Sequence, residues 1–381
     1  MLEHIYLDHA ATTPMDKQVI EAMVPIYEEV FGNPSSVHAF GRKSRQLLDE
    51  ARRVLAGSIQ ANEKEIIFTS GGTEADNLAL IGIAKANKHK GNHIITTIQE
   101  HHATLHTAEF LEKEGFEVTY LPVYEDGRVS VEDLKKALTD KTILVSVMYV
   151  NNETGIIQPI SEIGEVLKNH QSYFHTDAVQ AYGLIDLDVN KLGVDLLSVS
   201  AHKINGPKGI GFLYVKEGTN LAALQFGGEQ ERKRRPGTEN IVGAVGFKTA
   251  VEVMLNEREN RYVTYGAYKQ QFLKALTEEE VNFNINGEID YTVPSIVNIS
   301  FPGANVEKLL ANFDLDGVAA SSGSACTAGS VEPSHVLSAI YGENNPCTTN
   351  SIRFSFGAAN TTENVLEAAH RVAKIVKRLV K

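Results

Sequence analysis

The chain has 381 residues, 43% of them hydrophobic and 22% charged, the make-up of an ordinary globular protein large enough for a sizeable core or two domains. Its 36 Lys and Arg stand against 48 Asp and Glu, a net charge of −12, which argues against nonspecific binding to nucleic acid or to anionic membranes. Two cysteines cannot build a disulfide framework, the start MLEHIYLDHAATTPM has no basic-then-apolar leader, and no apolar run approaches a membrane span, so a cytoplasmic protein is expected.

Leu47, Leu48, Ala51, Val54 and Leu55 fall on one face at helical spacing. Short β-rich runs follow: EIIFTS (65–70), HIITTI (93–98), FEVTYLPV (116–123), TILVSVMYV (142–150), YFHTDA (173–178), DLLSVS (195–200) and GIGFLYV (209–215). Most are separated by stretches long enough for helices. Continuous apolar strands alternating with helices imply an α/β domain whose mainly parallel sheet is covered on both faces. In such sheets ligands collect beyond the carboxyl ends of the strands. Residues 217–240 break the pattern with the Gly- and Arg-rich FGGEQERKRRPGTEN, which includes a local basic patch at Arg232, Lys233, Arg234 and Arg235. A helix is expected over about 240–275, then strands in SIVNISF (295–301) and SIRFSF (351–356). A closing helix starts at Thr361–Thr362, with Val365, Ala369, Val372, Val376 and Leu379 at helical spacing. The region from about 260 to 381 reads as a smaller α+β domain.

Four segments follow predicted strands and together describe a site for a phosphorylated aromatic cofactor. In SGGTEADN (70–77), glycines and Thr73 precede a helix start, which suits a phosphate at a helix N-terminus and equally suits a plain strand-to-helix turn. In HTDAVQ (175–180), Asp177 ends an apolar strand, where a lone carboxylate is costly unless paired; a protonated pyridine nitrogen would pair with it, and a helix N-cap would also account for it. In SVSAHKINGPKGIG (198–211), Lys203 follows His202 at a strand end, where desolvation would free its amine to attack an aldehyde, whereas Lys208 sits in a Gly-Pro turn and reads as solvated. In QEHHAT (99–104), His101 or His102 is placed to stack on a ring or to move a proton. Near the C-terminus, SSGSACTAGSVEPSHVL (321–337) sets Cys326 among Ser, Gly, Ala and Thr. Such a segment is expected to be a mobile, accessible loop, and a tethered thiol there suits a nucleophile that carries something away; a half-buried thiol in a turn is the plainer alternative.

These segments resemble those of the pyridoxal-phosphate-dependent cysteine desulfurases of the aminotransferase class V superfamily, in the nitrogen-fixation and iron–sulfur-cluster branch. The likeness runs nearly end to end: YLDHAATTP (6–14), FGNPSSVH (31–38), FTSGGTEADNLA (68–79), EHHA (100–103), VNNETG (150–155), HTDAVQ, SVSAHKINGPKG, RPGTEN (235–240), SSGSACTAGS and SIRFSFG (351–357). The resemblance implies the type I fold of pyridoxal-phosphate enzymes. A large domain with a seven-stranded, mainly parallel sheet would span residues 15–258, and a smaller α+β domain would be built from 1–14 and 259–381 and carry the cysteine loop 321–331.

The same resemblance implies residue roles. Lys203 would be the lysine bonded to pyridoxal 5'-phosphate and the base for the substrate proton. His101 would stack on the ring and serve in proton transfer, Asp177 would meet the ring nitrogen, and Gln180 the ring hydroxyl. Gly72, Thr73, Ser200 and His202 would hold the phosphate, together with a Thr238 reaching over from the neighbouring subunit of a homodimer. Asn152 and Arg353 would hold the substrate carboxylate, and Cys326 would take the sulfur. Arg353 supports its role by interrupting an alternation in which Ile352, Phe354 and Phe356 share the other face; pairing with a structural acid is the alternative for it. The implied reaction converts L-cysteine to L-alanine, leaving a persulfide on Cys326 for an acceptor protein, either a tRNA thiolase or an iron–sulfur scaffold. No metal, membrane or direct nucleic-acid partner is expected. Ala201 stands where many family members have Gly, one methyl that should be tolerated, and Cys347 reads as incidental. A selenocysteine lyase or aminotransferase on the same scaffold, or a catalytically silent sulfur-transfer scaffold, are the competing readings; the aminotransferase has no use for Cys326, and the silent scaffold none for Lys203 and Asp177.

Overall fold

The computed structural model describes residues 4–323 and 333–380. Each of the seven β-rich runs contains one strand, and the seven join in one sheet. They are β1 (Ile66–Thr69), β2 (His93–Thr97), β3 (Glu117–Leu121), β4 (Thr142–Ser146), β5 (Tyr173–Asp177), β6 (Leu196–Ser200) and β7 (Gly211–Val215). Their spatial order is β1-β7-β6-β5-β4-β2-β3, parallel throughout except for β7, which runs antiparallel to both neighbours. The edge strand β3 is the partly exposed, more polar member, as an unpaired edge requires.

Alternate residues of the inner strands feed two different cores, which is why apolar residues stand side by side in these runs. Ile66, Phe68, Phe212 and Tyr214 pack with Leu48, Ala51 and Leu55 of α2 (Ala39–Gly57). Ile67, Leu213 and Val215 pack on the other face with Leu78, Ala79 and Ile83 of α3 (Gly72–Asn87). Ahead of α2 lies α1 (Lys17–Glu29), and α4 (His102–Lys113) follows β2.

A third core belongs to the smaller region. Strands β8 (Asn284–Ile285), β9 (Ile296–Ser300) and β10 (Ser351–Ser355) form an antiparallel sheet in the order β10-β9-β8. Ile352 and Phe354 of β10 pack against Val365, Ala369, Val372 and Val376 of the last helix, α7 (Thr362–Leu379), whose start is fixed by a reciprocal Thr361–Asn364 capping box. Ile5 and Leu7 join this core from the other end of the chain. Helix α5 (Ile241–Glu278) serves both regions, giving Phe247, Val251 and Met254 to the first core and Phe272 and Leu276 to the third. A division at 258/259 therefore falls inside one unbroken helix, between the residues it gives to each core. A short helix, α6 (His335–Tyr341), precedes β10.

Candidate active site

The parallel strands deliver their carboxyl ends to one edge of the sheet, and a cavity of about 420 Å³ opens there. Gly72 and Thr73 reach it from the turn after β1, His101 from the turn after β2, Asn152 from beyond β4, Asp177 and Gln180 from the end of β5, and Ser200, His202 and Lys203 from the end of β6. Arg353 enters from the smaller sheet. Two expected site residues stand apart from this group. Thr238 is exposed in the loop after β7, outside the cavity of its own chain, and Cys326 lies outside the described residues. The described flanks of the cysteine segment, Ser321 to Gly323 and His335, do line the cavity.

The turn after β1 is shaped for an anion. Gly71 caps α3 with φ 155° and ψ −173°, a conformation that side-chain-bearing residues avoid, and a Cβ on Gly72 would stand 2.9 Å from Val179 Cγ2. The first-turn N–H groups of α3, which have no acceptor within the helix, thus face a recess of about 350 Å³ shared with Thr73, Ser200 and His202. Lys208 lines the outer side of this recess and is exposed, as its turn position suggested.

Burial sets the charge states. It pushes the Asp177 carboxyl up to about 6, against the pull of the Val179 N–H (2.9 Å) and the Lys203 charge. A cationic ring nitrogen is the partner that such a carboxylate needs. His101 is driven down to about 4, first by burial and then by the Lys203 charge, so it is neutral at pH 7. Its Nδ1 accepts the Ala103 N–H at 3.1 Å, which leaves the proton on Nε2. His202 is also driven to about 4, chiefly by burial, with Nδ1 3.1 Å from Thr12 Oγ1.

Residues 8–13 form a strap between the two regions whose part the motif reading did not assign. Lys203 Nζ donates to the carbonyls of Ala10 (2.5 Å) and Ala11 (2.9 Å), and Gln180 Nε2 also donates to Ala10 O (2.9 Å). Asp8 accepts from Arg353 Nη2 at 2.8 Å and from the Ser321 hydroxyl at 2.9 Å, while Arg353 Nη1 donates to the Asn152 carbonyl at 2.9 Å. Arg353 thus has an acidic partner, as one of its two sequence alternatives held, and it also lines the cavity.

Three further buried groups escaped the motif reading. Glu153 lines the cavity and accepts the Ser334 hydroxyl at 2.5 Å. Beneath Asp177, His175 bonds Ser146 and Ser198 (both 2.9 Å) with Asp76 3.6 Å away, and burial keeps this imidazole neutral. The signal for these was an excess of polar residues in otherwise apolar runs. The extra methyl of Ala201 is accommodated beside Gly206, where an added Cβ would stand 3.0 Å from it. Cys347 is buried and its thiol pushed up to about 11 by desolvation, so it stays protonated and inert.

An amine at a strand end, a carboxylate for a ring nitrogen, an imidazole for a ring face and an anion cradle at a helix start fit a phosphorylated pyridine aldehyde, and define the class as pyridoxal-phosphate enzymes on an α/β scaffold. The model of the family described as aminotransferase class-V matches residues 5–367. A Bacillus subtilis (strain 168) protein provisionally named cysteine desulfurase IscS 1 is 58% identical over 378 residues, 99% of this chain and 100% of its own length. Cysteine desulfurase IscS of Clostridium botulinum (strain Hall) is 48% identical over 99% of this chain and 96% of its own length. A solved structure titled NifS-like protein superposes with a TM-score of 0.92 at 33% identity, covering 99% of this chain and 100% of that one. The chain belongs to the aminotransferase class-V family, among its pyridoxal-phosphate-dependent cysteine desulfurases.

Proposed function

We propose that this chain takes the sulfur of L-cysteine onto Cys326 as a persulfide, releases L-alanine, and passes the sulfur to a cysteine of an acceptor protein. The observation that carries the reading is the convergence of Lys203, Asp177, His101 and Arg353 on one cavity whose wall continues into both described flanks of the Cys326 segment. Pyridoxal 5'-phosphate, when bound, supplies the electron sink for breaking the substrate's Cα–H and Cβ–S bonds. Lys203 would hold its aldehyde carbon and then take the Cα proton. Asp177 would hold the ring nitrogen, Gln180 the ring hydroxyl, and Gly72, Thr73, Ser200 and His202 the phosphate. His101, neutral with its proton on Nε2, would cover the ring and serve as a proton donor.

Arg353 and Asn152 would fix the substrate carboxylate, so that the sulfur points towards the cysteine segment. The Cys326 thiolate attacks that sulfur: an S–S bond forms, the Cβ–S bond breaks, and its electron pair stays on carbon, which gains a proton to become the methyl of alanine. Cysteine plus thiol becomes alanine plus persulfide, so no outside oxidant is needed.

Two structural readings belong to the proposal. The two regions act as a large domain of residues 15–258 and a small one of 1–14 and 259–381, with the cavity between them. The working unit is a homodimer. Supporting this, Tyr27, Phe31, Val37 and Phe40 are 72%, 77%, 89% and 56% exposed, with the Phe31 and Phe40 rings 5.1 Å apart. Each large apolar side chain fully covered contributes roughly 1.5–3 kcal/mol to association. The patch adjoins Thr238: α2 carries both Phe40 and Arg45, and Arg45 reaches Glu239 at 3.6 Å. A second copy seated there would bring Thr238 towards its neighbour's phosphate. The protein is proposed to act in the cytoplasm; among the described residues no helix is long and apolar enough to cross a membrane.

Cys326→Ala tests the core of the reading. This variant is expected to bind cofactor and change its absorption on adding cysteine, yet make almost no alanine. Normal alanine formation would mean that sulfur leaves by another route. Offering persulfide loaded with labelled sulfur to a tRNA thiolase and to an iron–sulfur scaffold identifies the acceptor; equal slow transfer to any thiol would remove the dedicated partner.

A further inference from the structure

The loop that carries Thr238 is tied twice to the segment that forms the anion cradle. Glu231 is buried and accepts from both terminal guanidinium nitrogens of Arg52, at 2.6 and 2.7 Å, together with the backbone N–H of Phe68 at 2.9 Å. Arg52 also donates to the Ile66 carbonyl at 2.7 Å and lies over the Phe68 ring at 4.7 Å. Glu231, Arg232 and Lys233 hold this position with successive φ values of 45°, 56° and 65°. Three such residues in a row, none of them glycine, persist only where the surroundings dictate them.

The second tie lies four residues further on. Arg235 donates to both carboxylate oxygens of Glu74, at 2.8 and 3.3 Å, and Glu74 Oε2 accepts the Ser70 N–H at 2.7 Å. Ile66–Thr69 is β1, and Ser70 to Thr73 is the cradle itself. Both ends of that segment are therefore pinned by one loop, and that loop ends in Thr238. Two members of the basic run are tied to other segments of the fold, Arg235 to Glu74 and Arg232, whose Nη1 donates to the Lys64 carbonyl, whereas Lys233 forms an exposed pair with Glu229 of the same loop.

We infer that residues 229–240 couple the two phosphate sites of the dimer, with Glu231 and Arg235 as positioning residues. Arg235 holds the cradle of its own subunit through Glu74, and Glu231 holds the turn that delivers Thr238 to the other subunit. The inference rests on the proposed reach of Thr238 across the dimer.

Mixed dimers test it. One subunit carries Lys203→Ala, so only the other bonds pyridoxal 5'-phosphate covalently, and that site is followed by its phosphorus NMR resonance and by cofactor affinity. Adding Glu231→Gln to the Lys203→Ala subunit should move the resonance and weaken binding at the opposite site about tenfold, one charge-assisted contact's worth. Arg235→Lys, placed instead in the subunit that keeps Lys203, should do the same at its own site, while affinity for pyridoxal, which has no phosphate, stays unchanged in both cases. Adding Thr238→Ala to the Lys203→Ala subunit separates two failures. No effect from Thr238→Ala removes the cross-subunit reading and the coupling with it. An effect from Thr238→Ala with none from Glu231→Gln overturns the coupling alone. Should Glu231→Gln fail to assemble, Arg52→Lys in the Lys203→Ala subunit takes its place: an unmoved resonance and unchanged affinity at the opposite site overturn the inference, as do equal losses for pyridoxal, which would reduce it to general destabilisation.

Discussion

The two halves of the cavity are built in different ways. The half that suits the cofactor consists of strand ends: Thr73, Asp177, Ser200 and Lys203 each stand within a few residues of the carboxyl end of a strand in one sheet. The half that suits the substrate is a convergence of distant segments. Arg353 meets Asp8 across 345 positions and Asn152 across 201, and Ser321 joins Asp8 across 313. A strand end is placed first by the sheet, so the loss of one side chain, such as the Arg235 that braces the cradle through Glu74, should shift it without dismantling it. A convergence is placed by its own ion pairs and hydrogen bonds, so losing one partner should misplace the others.

Three substitutions ask whether the halves are separable. Lys203→Ala should abolish turnover and the visible absorption of the bound cofactor, while the fold and the phosphate cradle remain; unchanged absorption would move the covalent role to Lys208. Arg353→Lys should leave that absorption intact but raise the KM for cysteine by ~10²-fold, because an ammonium cannot replace the two-pronged guanidinium contact. Asp8→Asn, which keeps the shape and removes the charge, should raise KM by about tenfold through a less well-held Arg353. Steady-state alanine formation, read beside the absorption spectrum, checks all three. Loss of cofactor in Arg353→Lys would show that the halves are not independent.

The same contrast governs how much could be read from the sequence. Apart from the edge strand β3, the strands of the large sheet were legible as short, mostly apolar runs, which burial on both faces demands. Lys203 and Asp177 were legible as polar residues ending them. Asp8 was not, since nothing in LDHAAT distinguishes a carboxylate that will hold Arg353 from one that caps a turn. His175 and Asp76 were hidden because a buried polar pair becomes visible only when α3 is laid across β5. The pattern also divided the chain near residue 260, where the structure has one continuous helix, α5. Helical periodicity does not reveal that the two ends of a helix serve different cores.

The smallest expected effect is on stability, and it comes from the cofactor half. Folding raises the Asp177 pKa from an ordinary 3.8 to about 6, with burial as the main cause. Between those values the native state binds more protons than the unfolded chain, so the stability of the cofactor-free protein falls as pH rises through that window and stays reduced above it. Asp177→Asn keeps an oxygen for the Val179 N–H and removes the charge. It should therefore raise the melting temperature of the cofactor-free protein by several degrees at pH 7.5, with little difference near pH 4. Cofactor should reverse the order, because in the proposed site the wild-type carboxylate would gain the ring nitrogen and be stabilised by binding, whereas the variant's neutral amide would have no charge to meet it. Thermal denaturation at both pH values, with and without pyridoxal 5'-phosphate, checks this. A cofactor-free Asp177→Asn protein that is less stable than wild type at pH 7.5 would mean that the Lys203 charge already outweighs the cost of burying Asp177, and the argument that its burial requires the cofactor would fail.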